Sequence, residues 1–255
     1  MITVENLNKS FDGRKVLDDI NVDFMNGRTN LIIGQSGSGK TVLMNSIVGL
    51  LQPESGHILY DGRDITAMSK KERTMLRREM GMLFQGAALF DSMTVLDNVM
   101  FPLDMFSTMS YKERKHRALF CLDRVNMLEA EGKLPNELSG GMQKRTAIAR
   151  AIAMEPRYLF CDEPNSGLDP KTSIVIDKLI ADITHENNIT TVVNTHDMNS
   201  VIGIGENILF INEGRKAWQG SNKDIMTSDN KQLNDFIFAS EFSKQLRQDI
   251  IANMQ

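Results

Sequence analysis

The sequence has little cysteine: Cys121 and Cys161 are the only two among 255 residues. That count excludes a disulfide framework and suits a reducing compartment. Tryptophan occurs once. No apolar run approaches the roughly 18 residues of a membrane-spanning helix, and the longest, such as 208–211, are only strand length. The opening Met1-Ile2-Thr3-Val4-Glu5 has neither the basic start nor the apolar core of a secretory signal. Work at a membrane would therefore call for another chain to provide the span. An excess of positive charge is also missing. Lys and Arg number 29 against 33 Asp and Glu, a net charge of −4, so no global basic field argues for nucleic acid as a partner. What remains is an ordinary globular composition, 41% hydrophobic and 24% charged, with an unusual 17 methionines. Disorder and collagen-like repeats are excluded, and the length suits one large domain or a domain carrying an inserted lobe.

Periodicity predicts short strands at 2–7 and 16–24 around the turn-like Asp12-Gly13, then a buried strand at Thr29–Ile33 ending on Gly34. A helix is expected at 41–51, closed by Pro53 and Gly56, and a strand at 57–60 running into Asp61-Gly62. The stretch 69–80 reads as a charged helix with Lys70, Lys71, Arg73, Arg77 and Arg78. Glu72 and Glu79 among them favour a solvated face over a contact with phosphate headgroups or a partner. Residues of about 86–150 read as helical, with polar helices at 110–128 and 139–154. Tyr158–Asp162 and Thr190–Asn194 are apolar runs of the kind found in buried parallel strands. Between them Ile176, Leu179, Ile180 and Ile183 share one helix face, and Asp169-Pro170 supplies a start. Strand, helix, strand implies a βαβ unit in a parallel sheet. The stretch 221–255 is polar and expected to be helical.

Gly34-Gln35-Ser36-Gly37-Ser38-Gly39-Lys40-Thr41 matches G-x-x-x-x-G-K-[ST] between a predicted strand and a predicted helix. Glycines let successive backbone N–H groups face inward around phosphate oxygens, and the following helix adds its positive end. Lys40 would reach the β- and γ-phosphates, and the Thr41 hydroxyl would hold Mg²⁺.

A second chemical cluster is predicted at the ends of the other strands, where parallel sheets bind ligands. Tyr158–Asp162 runs directly into Glu163. Asp162 fits the orientation of Mg²⁺ and its waters, and Glu163 fits a general base for the attacking water. Acids ending a strand are by themselves ordinary solvated groups, and the phosphate loop is what turns the reading toward catalysis. His196, in Thr195-His196-Asp197, also follows a predicted strand and would contact the γ-phosphate. Cys161 reads as a small buried side chain rather than a reactive thiol.

Leu138-Ser139-Gly140-Gly141-Met142 offers an N-cap serine and two glycines with exposed N–H groups, either a capped helix or an anion site. The combination resembles the signature motif of the ABC (ATP-binding cassette) ATPases. The resemblance covers about residues 1–220 and finds each motif in order. Phe11 matches the aromatic that stacks on adenine, residues 34–41 the Walker A loop, and Gln85 the Q-loop glutamine. Residues 158–163 match Walker B with its catalytic glutamate, Ser166-Gly167-Leu168-Asp169 the D-loop, and His196 the switch histidine. Two positions depart from the pattern: Met142 stands for the usual glutamine and Asn165 for the frequent threonine. Neither removes a catalytic group.

The resemblance implies an α/β P-loop NTPase fold with a RecA-like core, an antiparallel β subdomain and an inserted helical subdomain at about 86–155. Residues 1–220 would form the ATPase domain and 221–255 a C-terminal helical extension. It implies ATP and Mg²⁺ as cofactors, with Gly34, Gln35, Ser36, Gly37, Ser38, Gly39, Lys40, Thr41 and Val42 contacting nucleotide, and Ser139, Gly140 and Gly141 closing on it from a partner copy. Thr41, Gln85 and Asp162 would serve the metal, and Glu163, His196 and Gln85 the hydrolysis. The implied partners are a second copy in a homodimer and an integral-membrane permease, with no nucleic acid. Met142 together with residues 84–99 is similar to the ATPases of Mce-associated phospholipid transporters, which implies a lipid-binding Mce protein as a further partner and places this chain at the cytoplasmic face of a bacterial inner membrane, held there by the permease. An importer of a small solute such as an amino acid, or a soluble cassette of iron–sulfur assembly, would carry the same motor. The apolar stretch Leu89, Phe90, Met93, Val95, Val99, Met100, Phe101 and Met105 reads as core packing mixed with a groove for a permease helix.

Overall fold

Fully buried apolar strands set the architecture. In the computed structural model, which describes residues 1–239, β3 (Thr29–Ile33), β7 (Tyr158–Asp162) and β8 (Thr190–Asn194) are buried along almost their whole length. They pair in parallel as neighbours, β3 with β8 and β8 with β7, so their C-terminal ends open on one edge. The six-stranded sheet is completed by β6 (Met80–Leu83), β9 (Asn207–Asn212) and β10 (Arg215–Gly220), in the order β10-β9-β3-β8-β7-β6. Only β10 runs antiparallel to its neighbour. A second, antiparallel sheet has the order β2-β1-β4-β5, from β1 (Ile2–Phe11), β2 (Arg14–Phe24), β4 (Ser55–Tyr60) and β5 (Arg63–Asp64).

Two apolar cores follow from the two faces of the parallel sheet. On one, Ile32, Phe160, Val192 and Leu209 meet the antiparallel sheet and α1 (Lys40–Ile47). On the other, Leu31, Ile33, Cys161 and Val193 meet the helices. Alternation along each strand sends successive side chains to opposite cores. Burial pushes the Cys161 thiol up to about 12, which makes it inert as the sequence implied.

Between β6 and β7 lie α3 (Val95–Phe106), α4 (Tyr111–Arg124) and α5 (Gly140–Ile152). Local chemistry starts each of them. Thr94 and Asp97 form a capping box on α3, Ser110 and Glu113 another on α4, and Ser139 caps α5. Asp169 caps α6 (Pro170–Glu186) by accepting from Lys171 and Thr172 N–H at 3.0 Å each.

The predicted charged helix at 69–80 is shorter, α2 (Lys70–Arg77), and Met80 already belongs to β6. The run Met80-Gly81-Met82-Leu83 has no β-branched residue, so it continued the helical pattern instead of announcing a strand. The edge strand β10 was not anticipated either, because its residues are polar and partly exposed. α7 (Met198–Ile204) precedes β9, and α8 (Asn222–Thr227) and α9 (Lys231–Ile237) follow β10. Phe236 stacks on Phe210 with ring centroids 5.3 Å apart, seating α9 on the sheet. The part of the expected C-terminal extension at 240–255 lies outside the described residues. No described helix is long and apolar enough to cross a membrane.

Candidate functional site

The loop after β3 wraps the N-terminus of α1. Gly39 holds φ +106°, and a Cβ there would lie 2.8 Å from the Val16 carbonyl, so only glycine fits the turn. Lys40 folds back and its Nζ caps the carbonyls of Gly34 at 2.9 Å and Gln35 at 3.0 Å. Burial lowers the Lys40 pKa, while the carboxylates of Glu163 and Asp162 work in the opposite direction. Ser38 Oγ is buried without a hydrogen-bond partner. A buried hydroxyl left unsatisfied costs about 1–3 kcal/mol, and an ammonium capping carbonyls can exchange them for anionic oxygens. The loop therefore fits a phosphate chain. Among the described residues no cluster of three His, Cys, Asp or Glu side chains could hold a metal. A cation here would instead rest on the Thr41 hydroxyl, Asp162, waters and phosphate oxygens, a set that suits Mg²⁺.

The strand ends bring the second cluster to the same edge. Asn194 Nδ2 donates to Asp162 Oδ1 at 2.6 Å, fixing the carboxylate from the neighbouring strand. Glu163 sits in the left-handed region at φ +47°, and its N–H donates to the Asn194 carbonyl at 2.8 Å. Such a conformation costs a non-glycine residue about 1–3 kcal/mol and persists where surroundings enforce it. Its Oε2 lies 2.8 Å from His196 Nδ1. The carboxylate is 15% exposed and the imidazole 69%, so the histidine screens the acid while remaining open to a ligand. Gln85 points to the turn beyond: its Nε2 donates to Ser166 Oγ at 3.3 Å. Phe11, 43% exposed at the tip of the β1–β2 hairpin, carries Lys9 Nζ 5.3 Å from its ring centroid.

The structure does not bring Ser139, Gly140 and Gly141 to Lys40. They line a separate open cavity of about 430 Å³ with Leu168, Lys171 and Thr172. Ser139 Oγ accepts from the Met142 N–H at 3.3 Å. Lys40 is not among the residues lining that cavity.

Sequence reasoning passed over three buried polar residues around the candidate site. Asn194 directly precedes Thr195-His196, and only strand pairing reveals its contact with Asp162. Lys144 had a signal: it falls on the buried face of α5 with Ala147, Ile148 and Ala151. Asp177 is buried on α6, accepting from Asn165 Nδ2 at 2.8 Å, and Asn165 also donates to Ser200 Oγ at 3.0 Å. The unusual Asn165 thus ties the turn after Glu163 to α6 and α7.

Burial raises Asp177 from the ordinary 3.8 to about 6, against the lowering effect of its hydrogen bonds to Ser200 and Asn165. The folded chain then takes up this proton before the unfolded chain does as pH falls. Its charge costs stability above pH 6, and the cost fades as pH drops toward 4. Asp177→Asn is expected to raise the thermal midpoint at pH 8, by a free energy of up to about 3 kcal/mol, and to change it little at pH 4. Thermal melts across that range check the sign.

The fold and the glycine-rich loop between β3 and α1 define a P-loop ATPase cassette. The ABC transporter family model matches residues 17–166, and the chain belongs to that family. It is 37% identical to a methionine import ATP-binding protein MetN of Carboxydothermus hydrogenoformans, over 99% of this chain and 76% of the relative. It is 36% identical to the intermembrane phospholipid transport system ATP-binding protein MlaF of Haemophilus influenzae, over 93% of this chain and 90% of that one. A dimeric, post-hydrolysis structure of the cassette MJ0796 bound to ADP and Pi superposes with a TM-score of 0.79 at 34% identity, covering 87% of this chain and 99% of that one. The chain is accordingly an ABC-type ATPase that uses ATP with Mg²⁺.

Proposed function

We propose that this ABC ATPase drives phospholipid transport between bacterial membranes, as a homodimer on the cytoplasmic side of a permease with an Mce-type lipid-binding partner. The observation that carries the reading is the Leu138-Ser139-Gly140-Gly141-Met142 signature, taken with the 84–99 stretch and the likeness to MlaF. A small-solute importer is the second reading, favoured by the equal likeness to MetN.

In the motor, Lys40 would leave the carbonyls of Gly34 and Gln35 for phosphate oxygens, and the Ser38 hydroxyl would gain its missing partner. Mg²⁺ would neutralise charge on the β- and γ-phosphates. Thr41 and Asp162 would hold it, with Asn194 fixing Asp162 and Gln85 approaching from the Ser166 side. Glu163 would polarise the attacking water, its orientation held by the strained turn and His196. Phe11 would stack on adenine. The partner copy would add Ser139 and the N–H groups of Gly140 and Gly141 at the N-terminus of its α5. Each site would be complete only across the dimer.

The permease would engage an apolar groove of about 520 Å³ whose walls include Met82, Phe84, Phe90, Phe101, Phe106 and Met154. Val95, Val99 and Met100, by contrast, belong to the core. Phe90→Glu is expected to cut permease recovery about tenfold, the cost of one interface anchor, with ATP binding retained. Undiminished recovery would remove the groove from the reading.

The cargo is tested by pull-down of Glu163→Gln from native membranes in detergent, followed by mass spectrometry of proteins and lipids. A multi-span permease, an Mce-type protein and phospholipid support the proposal. A solute permease keeps the motor and changes the cargo, and soluble partners alone overturn the transport reading.

A further inference from the structure

Lys144 has no part in the chemistry above, yet it is 4% exposed on α5. Lysine is rarely buried without a carboxylate partner. Among the described residues Lys144 forms no ion pair. Its Nζ donates instead to two backbone carbonyls, those of Gln85 and of Glu163, the second at 3.3 Å. Burial favours the neutral amine here, and the negative charge of Asp162 and Glu163 opposes that effect.

The two carbonyls belong to the two segments that hold the proposed catalytic groups. Gln85 follows β6 and Glu163 follows β7, while Lys144 stands five residues beyond the Ser139 cap, about 7.5 Å along the helix axis. The contacts close on themselves. Gln85 Nε2 reaches Ser166 Oγ, the Ser166 N–H donates to the Glu163 carbonyl at 3.2 Å, and Lys144 joins that carbonyl to the backbone of Gln85. We propose that Lys144 is a positioning residue, a strut that fixes the backbone of Gln85 and Glu163 to the signature helix. A shift of α5 on closing against the partner's nucleotide then moves the hydrolytic turn of its own chain. The inference rests on the proposed role of Glu163 and adds how that residue is regulated.

The test compares Lys144→Met, which keeps the length and removes the donors, with Lys144→Arg, which restores a cation. Steady-state hydrolysis is measured with amide hydrogen exchange of segments 84–86 and 162–166. Lys144→Met is expected to lower kcat about tenfold while KM for MgATP stays within about threefold. Exchange should rise in those two segments with the rest of the sheet unchanged, and Lys144→Arg should recover at least half of the lost rate. Unchanged kcat, or exchange that rises evenly through the chain, overturns the strut. Should Lys144→Met fail to fold, Lys144→Gln, with donors on a shorter arm, carries the same comparison. Glu163→Gln separates the two ideas: full activity in it refutes the catalytic reading, whereas the exchange pattern of the Lys144 variants still reports on the strut.

Discussion

Glu163→Gln is expected to lower kcat for ATP hydrolysis by two to four orders of magnitude, the range that a positioned general base contributes. ATP affinity should change little, because the amide keeps the shape of the side chain and every phosphate contact proposed for residues 34–41 remains. Loss of the carboxylate also alters the contact between Glu163 Oε2 and His196 Nδ1 at 2.8 Å. The variant should therefore accumulate ATP-bound dimer, seen as a doubled mass by light scattering only when ATP is present. Single-turnover hydrolysis checks the rate. A fall of less than about tenfold would assign the water-activating role elsewhere, His196 being the next candidate at that edge.

The second large effect is expected at Gly141. This residue is buried in the first turn of α5, and a Cβ would lie 2.6 Å from Thr172 Cγ2. Gly141→Asp places a negative charge where the partner's nucleotide would meet the helix N-terminus. Hydrolysis should fall by a hundredfold or more, the scale of losing an electrostatic donor group at a reacting anion. Nucleotide binding to the variant's own residues 34–41 should survive, since the two half-sites are separate in the chain. Equilibrium binding of MgATP at low protein concentration distinguishes this from misfolding. Full hydrolysis by Gly141→Asp would refute the composite site.

Much of this was legible in the sequence for identifiable physical reasons. β3, β7 and β8 match their predicted bounds because strands buried on both faces read as unbroken apolar runs. The Asp169-Pro170 start of α6 was readable because a cap depends on neighbours only two or three residues away. β6 and β10 were not, since a methionine-rich run and a polar edge strand carry no period-2 signal. At the site, the glycine-rich loop announces itself by spacing, and the Asp162-Glu163 pair is read as chemistry only because that loop is present. Asn194, Lys144 and Asp177 do not, because each acquires its role from a residue on another element. The burial of Lys144 was half-visible as a charge on an apolar helix face. Its two carbonyl partners were not.

In the proposed dimer one chain holds two halves of two different sites, and mixing inactive chains tests this arrangement. Lys40→Ala and Gly141→Asp should each hydrolyse ATP at background rates. In an equal mixture half of the dimers are mixed, and each mixed dimer contains one intact composite site. The account predicts that mixing restores hydrolysis, up to about a quarter of the wild-type rate. A mixture as inactive as its components, while both variants still dimerise, would contradict it.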